Sequence, residues 1–409
     1  MKTLFRNIHL YLSLASGLVI AIVCFTGGVL VFEKELDQAW HPARFFVAPP
    51  GTTQQRLPLA QLVAAVQATD AQAKVTGVKI YTDPARTVEI SLAGAPKPEG
   101  GRPDKAPSAQ AEGTPKGKGE KAAGSKGGGE GGGPKVYVNP YTGAVLDKVT
   151  YRDTFFFTIM ALHRGMVGGA AGKLVVGVST LFFLCIIGTG LVLWWPASRK
   201  AVRQRLTVKW DASWKRLTHD LHIVLGFYSG LFLFVFAFTG LAWSFEWFND
   251  GIYTITRSDP KGPEAPKSAL SPAGTTVSLD QAYAVAQQQV PGALSYSVSL
   301  PKDSTEAVRV VVAAATAAYE GATDELYIDQ YTGQPLGKLN FEDRNLGQRV
   351  RRTFKPVHTG AIFGLPSKVL ALVVCLLGTT FPVTGVIMWL SRLRKAQKKQ
   401  TKQRVAVNS

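Results

Sequence analysis

Six histidines occur in the chain, and four of them stand at the ends of apolar runs in two matched pairs. His9 opens HLYLSLASGLVIAIVCFTGGVLVFEKELD, and His222 opens HIVLGFYSGLFLFVFAFTGLAWSFEWFND. At one constant offset Ser16 matches Ser229, Gly17 matches Gly230, Thr26 matches Thr239, Gly27 matches Gly240, Glu33 matches Glu246 and Asp37 matches Asp250. A second repeat aligns LHRGMVGGAAGKLVVGVSTLFFLCIIGTGLVLWW with VHTGAIFGLPSKVLALVVCLLGTTFPVTGVIMWL. It sets His163 against His358, Lys173 against Lys368, Thr189-Gly190 against Thr384-Gly385 and Trp194 against Trp389. Imidazole is a common metal ligand and an axial ligand of haem. A chain that duplicates its histidines along with its helices points to a metal or haem centre shared between the copies.

The elements that must carry these residues are membrane helices. Four apolar runs, roughly 10–32, 174–195, 223–245 and 369–390, are each about twenty residues long, enough to cross the hydrocarbon layer. Backbone in lipid must satisfy its own hydrogen bonds, so the runs are read as helices. Glu33-Lys34-Glu35 follows the first run in place of a small-residue cleavage site, so that run is read as a span and not as a signal peptide.

The formal net charge of +18 is distributed as topology, which argues against nucleic-acid binding. Lys2 and Arg6 precede the first span. Arg199, Lys200, Arg203, Arg205, Lys209, Lys215 and Arg216 crowd the connection between the second and third. Arg392, Arg394, Lys395, Lys398, Lys399, Lys402 and Arg404 form the tail. Short basic segments stay inside, which places both termini in the cytoplasm and both long loops outside. The expected setting is a bacterial inner membrane, with the long loops in the periplasm.

The organisation that follows is a first span (1–35), an outer module (36–155), an outer amphipathic segment leading into the second span (156–196) and a basic loop (197–221). The second half repeats it with a third span (222–246), a second outer module (247–355), a fourth span (356–391) and a basic tail (392–409). Each module offers one helical pattern, LPLAQLVAAVQAT or VSLDQAYAVAQQQVPG, and short alternating strands. Each closes on a turn, Pro140-Tyr141-Thr142-Gly143 or Gln330-Tyr331-Thr332-Gly333, with glycine at the positive-φ position. The fold class is therefore a mainly α membrane protein, a four-helix bundle from a duplicated two-helix unit, carrying two small α+β modules. Segment 96–134 is rich in Gly, Lys, Pro, Glu and Ala, and is read as a disordered insert at a hairpin tip.

Cys24, Cys185 and Cys375 lie inside spans and read as packing residues. The absence of C-x-x-C-H argues against covalently attached haem. No G-x-G-x-x-G or P-loop follows a predicted strand, so no nucleotide or flavin domain is expected.

The pairing of the histidines follows from insertion alone. Each repeat crosses the membrane twice, so both copies insert the same way up and their two-fold axis runs along the membrane normal. His9 and His222 then share the inner edge, and His163 and His358 share the outer edge. About twenty helical residues, or roughly 30 Å, separate the two edges. Two imidazoles across a two-fold axis suit a planar macrocycle with an axial ligand on each face, so two b-type haems are expected. On each helix wheel the histidine, the serine and the second glycine share a stripe (His9, Ser16, Gly27 and His222, Ser229, Gly240), leaving room for a helix or a porphyrin. Gly165, Gly168, Gly169, Gly172, Gly360 and Gly364 offer the same room near the outer pair. Zinc is the rival ligand, but a closed zinc site needs four donors and each edge supplies two or three histidines and no cysteine.

The remaining candidates carry two readings each. His219, three residues before His222, is an alternative ligand, a supporting partner or a loop residue. His41 reads as interfacial. Lys173 and Lys368 either neutralise haem propionates or snorkel to the interface. Glu33 and Glu246 either orient a ligating imidazole or mark the water boundary. Trp194, Trp195, Trp243, Trp247 and Trp389 fit an aromatic belt. Phe25, Phe32, Phe232, Phe234, Phe236 and Phe238 either shorten the path between the haems or fill apolar space. His163 lies ten residues before Lys173, which sets the outer pair at or beyond the lipid surface.

The L-x-x-A-x-x-A…PG and Y-[IV]-[DN]-x-YTG patterns of the loops, inserted between histidine-flanked spans, resemble the PepSY-associated transmembrane family. The run L-H-R-G…G-K-L-x-x-G…T-G-L-x-L-W-W-P at 162–196 is similar to its signature. The second copy departs from it, with Val357-His358-Thr359 in place of Leu162-His163-Arg164, and 96–134 is no part of the pattern. The resemblance implies an inner-membrane reductase of ferric siderophores. Such a protein takes electrons from a cytoplasmic or quinol donor and delivers them to a periplasmic Fe(III) chelate, where reduction loosens a hard-oxygen chelator's hold on iron. A transporter is the first alternative, but the spans hold almost no charge at mid-membrane. A sensor or protease-regulating protein is the second, and it leaves the paired histidines unexplained.

Overall fold

The structure is a computed structural model that describes residues 2–49, 51, 55–94, 133–196, 198–270 and 276–407. The segment read as a disordered insert lies, but for its last two residues, outside the described residues.

The chain opens with α1 (Lys2–Val31). The first outer half follows as α2 (Leu59–Thr69), β1 (Val75–Tyr81), β2 (Val88–Leu92), β3 (Lys135–Val138) and β4 (Val145–Val149). A short helix α3 (Phe155–Gly165) turns back into α4 (Gly169–Trp194). The second half repeats this plan. It runs α5 (Trp214–Ser244), α6 (Leu279–Gln289), β5 (Ser295–Ser299), β6 (Val308–Ala313), β7 (Asp324–Ile328), β8 (Pro335–Leu339), α7 (Leu346–His358) and α8 (Leu365–Val407). Four of these helices, α1, α4, α5 and the Leu365–Lys398 part of α8, are long and apolar enough to cross a membrane. The protein is thus a helical membrane protein with a β-containing portion beyond one end of the helices.

The helices pack through small residues, as helices in lipid must when no hydrophobic force drives them together. A Cβ on Gly17 of α1 would lie 3.2 Å from Pro382 of α8, and one on Gly28 would lie 3.3 Å from Cys375. Between α4 and α5 the Trp194 and Phe227 rings stack at 3.7 Å. Ile20, Cys24, Ile186, Leu233 and Val374 meet at the bundle centre, with Phe183, Phe232, Phe236 and Phe381 against them.

The two outer modules, expected as separate units, form one sheet of eight strands in the order β4-β3-β2-β1-β5-β6-β7-β8. Every neighbouring pair is antiparallel. At the seam Val78 pairs with Val298, while Val78 pairs with Ile90 and Val298 with Val310 in their own halves. Equivalent residues therefore face each other, and the pseudo-two-fold axis passes between them. Joining β1 to β5 removes two exposed sheet edges at once. Gly77 allows the close approach, since a Cβ there would lie 2.7 Å from the Val298 carbonyl oxygen. Gly143 and Gly333 both adopt φ of 74°, as their turns require.

One face of the sheet is apolar and takes α2 and α6. Leu62, Val66, Ile80, Val88, Ile90, Val138, Ala286, Val310, Leu326 and Ile328 are buried there. The alternate residues Lys79, Glu89, Tyr137, Arg309, Glu325 and Tyr327 form the opposite, polar face, which meets the sheet end of the bundle. Lys34 beyond α1 reaches Glu320 at 2.7 Å, and Arg352 of α7 reaches Glu325 at 3.2 Å.

Glu325 is the hub of that contact. Arg309, Arg344 and Arg352 surround its carboxylate, and the Tyr327 hydroxyl donates to it at 2.8 Å. Burial alone raises the carboxyl, but the hydrogen bond and charge of Arg309, with help from Tyr327 and Arg344, hold it at about 2. A carboxyl depressed on folding contributes stability above its ordinary value of 4.5, and that contribution fades as pH falls towards 2. Acid titration of the purified protein followed by thermal unfolding should show this loss between those limits. Glu325→Gln should flatten the step and cost about 3–5 kcal/mol at neutral pH by stranding the guanidiniums. An unchanged acid profile in the variant contradicts the assignment.

Candidate functional site

The four repeated histidines meet in two pairs at opposite ends of the bundle. The His9 and His222 ring centres lie 6.5 Å apart with planes at 77°, and those of His163 and His358 lie 6.0 Å apart at 63°. His9 stands near the start of α1. His222 lies in a single wide turn, Leu221–Leu225, with π-helical bonding inside α5. Such turns occur mostly at functional positions, because the extra residue re-aims a side chain. No residue pattern along the chain marks this turn.

The outer histidines come from helices that fold back against the bundle. Thr154 caps α3 by accepting the Phe157 N–H, and Asn345 caps α7 by accepting the Gln348 N–H at 2.9 Å. Both helices end at their histidine in a tight reversal, through Met166 at φ 50° and Gly360 at φ 71°. A Cβ on Gly172 would overlap the Gly165 carbonyl, so these glycines close the reversal and do not make room for a macrocycle.

The reversal corrects the expected depth of the outer pair. His163 Nδ1 lies 3.0 Å from the Val23 carbonyl oxygen, and its Cε1 sits against Gly27. The pair therefore lies inside the span of α1 and not at or beyond the lipid surface. The fourteen to eighteen helical residues from His9 to Val23 and Gly27, at about 1.5 Å each, put the pairs about 21–27 Å apart.

Each imidazole is held by a Thr-Gly dipeptide on a neighbouring helix of its own repeat. His9 Nδ1 meets the Ile186 carbonyl at 3.0 Å and Thr189 Oγ1 at 3.1 Å on α4. His163 Nδ1 meets Thr26 Oγ1 at 3.2 Å besides the Val23 carbonyl. His222 Nδ1 meets Thr384 Oγ1 at 2.8 Å on α8. His358 Nδ1 meets the Phe236 carbonyl at 2.9 Å and Thr239 Oγ1 at 3.1 Å on α5. Each threonine hydroxyl spends its own proton on a carbonyl of its helix, at 2.8 Å for Thr189, 2.7 Å for Thr26, 3.1 Å for Thr384 and 2.7 Å for Thr239. A carbonyl and a hydroxyl so engaged can only accept. Nδ1 must donate in all four cases, which leaves Nε2 bare and basic.

The adjoining glycine seats the ring edge. Cβ atoms built on Gly27, Gly190, Gly240 and Gly385 would lie 3.1, 3.4, 3.3 and 3.6 Å from Cε1 of His163, His9, His358 and His222. The sequence repeat had these residues in register, but the stripe of Gly27 and Gly240 was expected to leave room for a helix or a porphyrin. Their contacts assign it to the imidazoles.

The other candidates lie elsewhere. Glu33 takes the Tyr151 hydroxyl at 3.1 Å, and its carboxyl is raised by burial against that bond. Glu246 is exposed, and among the described residues no hydrogen bond joins either glutamate to a histidine. Lys368 pairs with Glu35 at 2.6 Å over the Phe32 ring, and Lys173 is exposed. His219 is exposed and contacts Asp220 at 3.2 Å, and His41 lies 3.8 Å from Asp37. Trp243, expected in an interfacial belt, tilts against His358 with ring centres 5.2 Å apart.

Ring centres about 6 Å apart, with every Nδ1 committed elsewhere, match the spacing for a single metal held by the two Nε2 atoms. A metal–imidazole bond of about 2 Å on each side, with about 1.1 Å from nitrogen to ring centre, asks for about 6 Å. Among the described residues no group of three or more His, Cys, Asp or Glu side chains gathers, so a four-donor zinc site is not assembled.

The glycine seats make a stability prediction. Gly27→Val should displace His163 and lower the thermal midpoint of the purified protein. Gly188→Ala, in the same kind of helix with nothing within 4 Å of the added carbon, should be neutral or gain up to about 1 kcal/mol. Equal effects from both would mean the seat is not tight.

No curated protein matches the chain at a significant level. The family model for the PepSY-associated TM region matches residues 6–392, which take in both histidine pairs, all four apolar helices and the sheet. The chain belongs to the PepSY-associated transmembrane family.

Proposed function

We propose that this protein is a transmembrane electron carrier of the bacterial inner membrane, with b-type haem held by His9 and His222 at one end of the bundle and by His163 and His358 at the other. The observation that carries the reading is the doubled geometry. In each pair both Nδ1 atoms are committed as donors, and the rings stand at the spacing that an iron held by both imidazoles would need. Haem held by these histidines would supply one-electron transfer.

The protein's own residues do the rest. The carbonyls and threonines fix each ring's tautomer and orientation, and the donated Nδ1–H raises the basicity of Nε2. The packed core of Ile20, Cys24, Ile186, Leu233 and Val374 keeps water from the space between the ends. Phe381, 5.6 Å from His222, and Phe236, 6.4 Å from His358, extend aromatic contact from each pair into that core. Basic connections at the other end of the bundle favour a cytoplasmic orientation for the termini.

The acceptor in this reading is the Fe(III) of a ferric siderophore or similar chelate on the sheet side. It takes one electron and becomes Fe(II), which hard oxygen donors hold less tightly. The electron comes from a cytoplasmic or quinol donor. The activity is then that of a ferric-chelate reductase, and no bond in the chelator is broken.

Purified protein should be red, with a reducible b-type spectrum and two haems per chain. His163→Ala or His358→Ala should remove one haem and spare the other. His9→Ala or His222→Ala should remove the other, while His219→Ala and His41→Ala should keep both. A colourless protein, or two haems retained in all four core variants, defeats the reading.

A further inference from the structure

The outer site is symmetric in its histidines and asymmetric in what lies above them. Trp243 stands against His358, where the equivalent position of the first repeat is Leu30. Arg351 stands where the first repeat has Phe156. Arg351 precedes His358 by seven residues on α7, which is two turns, so both side chains leave the same face of that helix about 10 Å apart.

The Arg351 guanidinium lies over the Trp243 ring, its carbon 5.0 Å from the ring centre. Its Nε donates to Asn249 Oδ1 at 2.6 Å. These two contacts fix the plane of the fork. Among the described residues no carboxylate lies within ion-pair distance of Arg351, and neither Nη group has a hydrogen-bond partner. Tyr253 is the titratable side chain whose charge acts on it. A half-buried, pre-oriented guanidinium with its outer edge free is built for a planar oxyanion, which it takes through two parallel hydrogen bonds. Of the two lysines expected to meet a propionate, Lys368 is paired with Glu35 and Lys173 is exposed.

We propose that Arg351 is the carboxylate-binding residue of the outer site and takes a propionate of the haem held by His163 and His358. This rests on the haem reading and deepens it, because it fixes which edge of the macrocycle faces α7. A positive charge paired with a propionate favours the reduced iron, so the second repeat also raises the outer potential. The same carboxylate chemistry exists in many chelates of iron, and the test separates the two sources.

The full-length, haem-loaded protein is titrated optically against potential in the absence of any chelate. Arg351→Gln and Arg351→Ala should keep both haems, and one of the two midpoints should fall by the equivalent of about tenfold in the reduction equilibrium, or about 59 mV for one electron. Arg351→Lys should fall by less, and the second midpoint should not move. Protein from haem-deficient cells, loaded with haem dimethyl ester, should show no further drop on Arg351→Gln, since the ester has no charge to pair. Midpoints within about twofold of the parent in Arg351→Gln overturn the proposal. So does a full-size drop with the ester, which would assign the guanidinium to an outside carboxylate or to structure. A parent protein without haem would instead sink the underlying reading.

Discussion

The donation of one ring proton fixes everything else in this molecule. An imidazole at membrane depth cannot leave its N–H unpaired without a cost of about 1–3 kcal/mol, and water is not there to take it. The nearest acceptors are helix carbonyls, whose lone pairs exceed the needs of the helix, and threonine hydroxyls already turned towards their own backbone. Once Nδ1 donates, only one direction remains for the basic nitrogen. The glycine beside each threonine removes the last freedom, because the ring edge rests where a Cβ would be. The same device occurs four times, and it works without any charged partner in the apolar layer.

Each of these latches closes within a single repeat. α4 receives His9 and α1 receives His163, while α8 receives His222 and α5 receives His358. A single repeat thus orients both of its imidazoles unaided, yet it completes neither pair. The pairs exist only where the repeats meet, through α1 on α8, α4 on α5, and β1 on β5. Duplication in the same orientation is what brings like histidines to the same edge. A repeat with an odd number of crossings would have inverted its copy and set His9 beside the equivalent of His163.

Much of this was legible in the sequence, because the features concerned are periodic. Twenty apolar residues give a span, a constant offset gives the repeat, and two crossings per repeat give the pairing of edges. What escaped depends on contacts that periodicity does not encode. Thr26-Gly27 and its three counterparts were in register, but nothing along the chain says that a ring from another helix lands there. The depth of His163 was misjudged because ten residues before Lys173 read as an extended rise, when the glycines at 165 and 172 fold α3 back along α1. Glu33 and Lys368 looked available to the outer site, and their partners Tyr151 and Glu35 lie far off in sequence or on another helix. The strands were visible, but the union of β1 with β5 was not, since an edge strand's partner is set by the other half of the protein.

The two halves have exchanged the charges of one cross-strand pair. On the polar face of the sheet, Glu89 and Lys135 form the cross-strand pair of the first half at 3.5 Å. By strand register the second half has Arg309 at the position equivalent to Glu89, and Glu325 at that equivalent to Lys135. The pair has been inverted, and an inversion keeps the attraction between strands intact. It would reverse the local potential if the surroundings stayed the same, but they do not. Glu89 sits among Lys79, Lys135 and Arg86, and Glu325 sits among Arg309, Arg344 and Arg352. In each half one buried carboxylate is outnumbered by the cations around it, which keeps it ionised. Either order of the two charges therefore holds its strands together, because the acid stays charged whichever strand carries it.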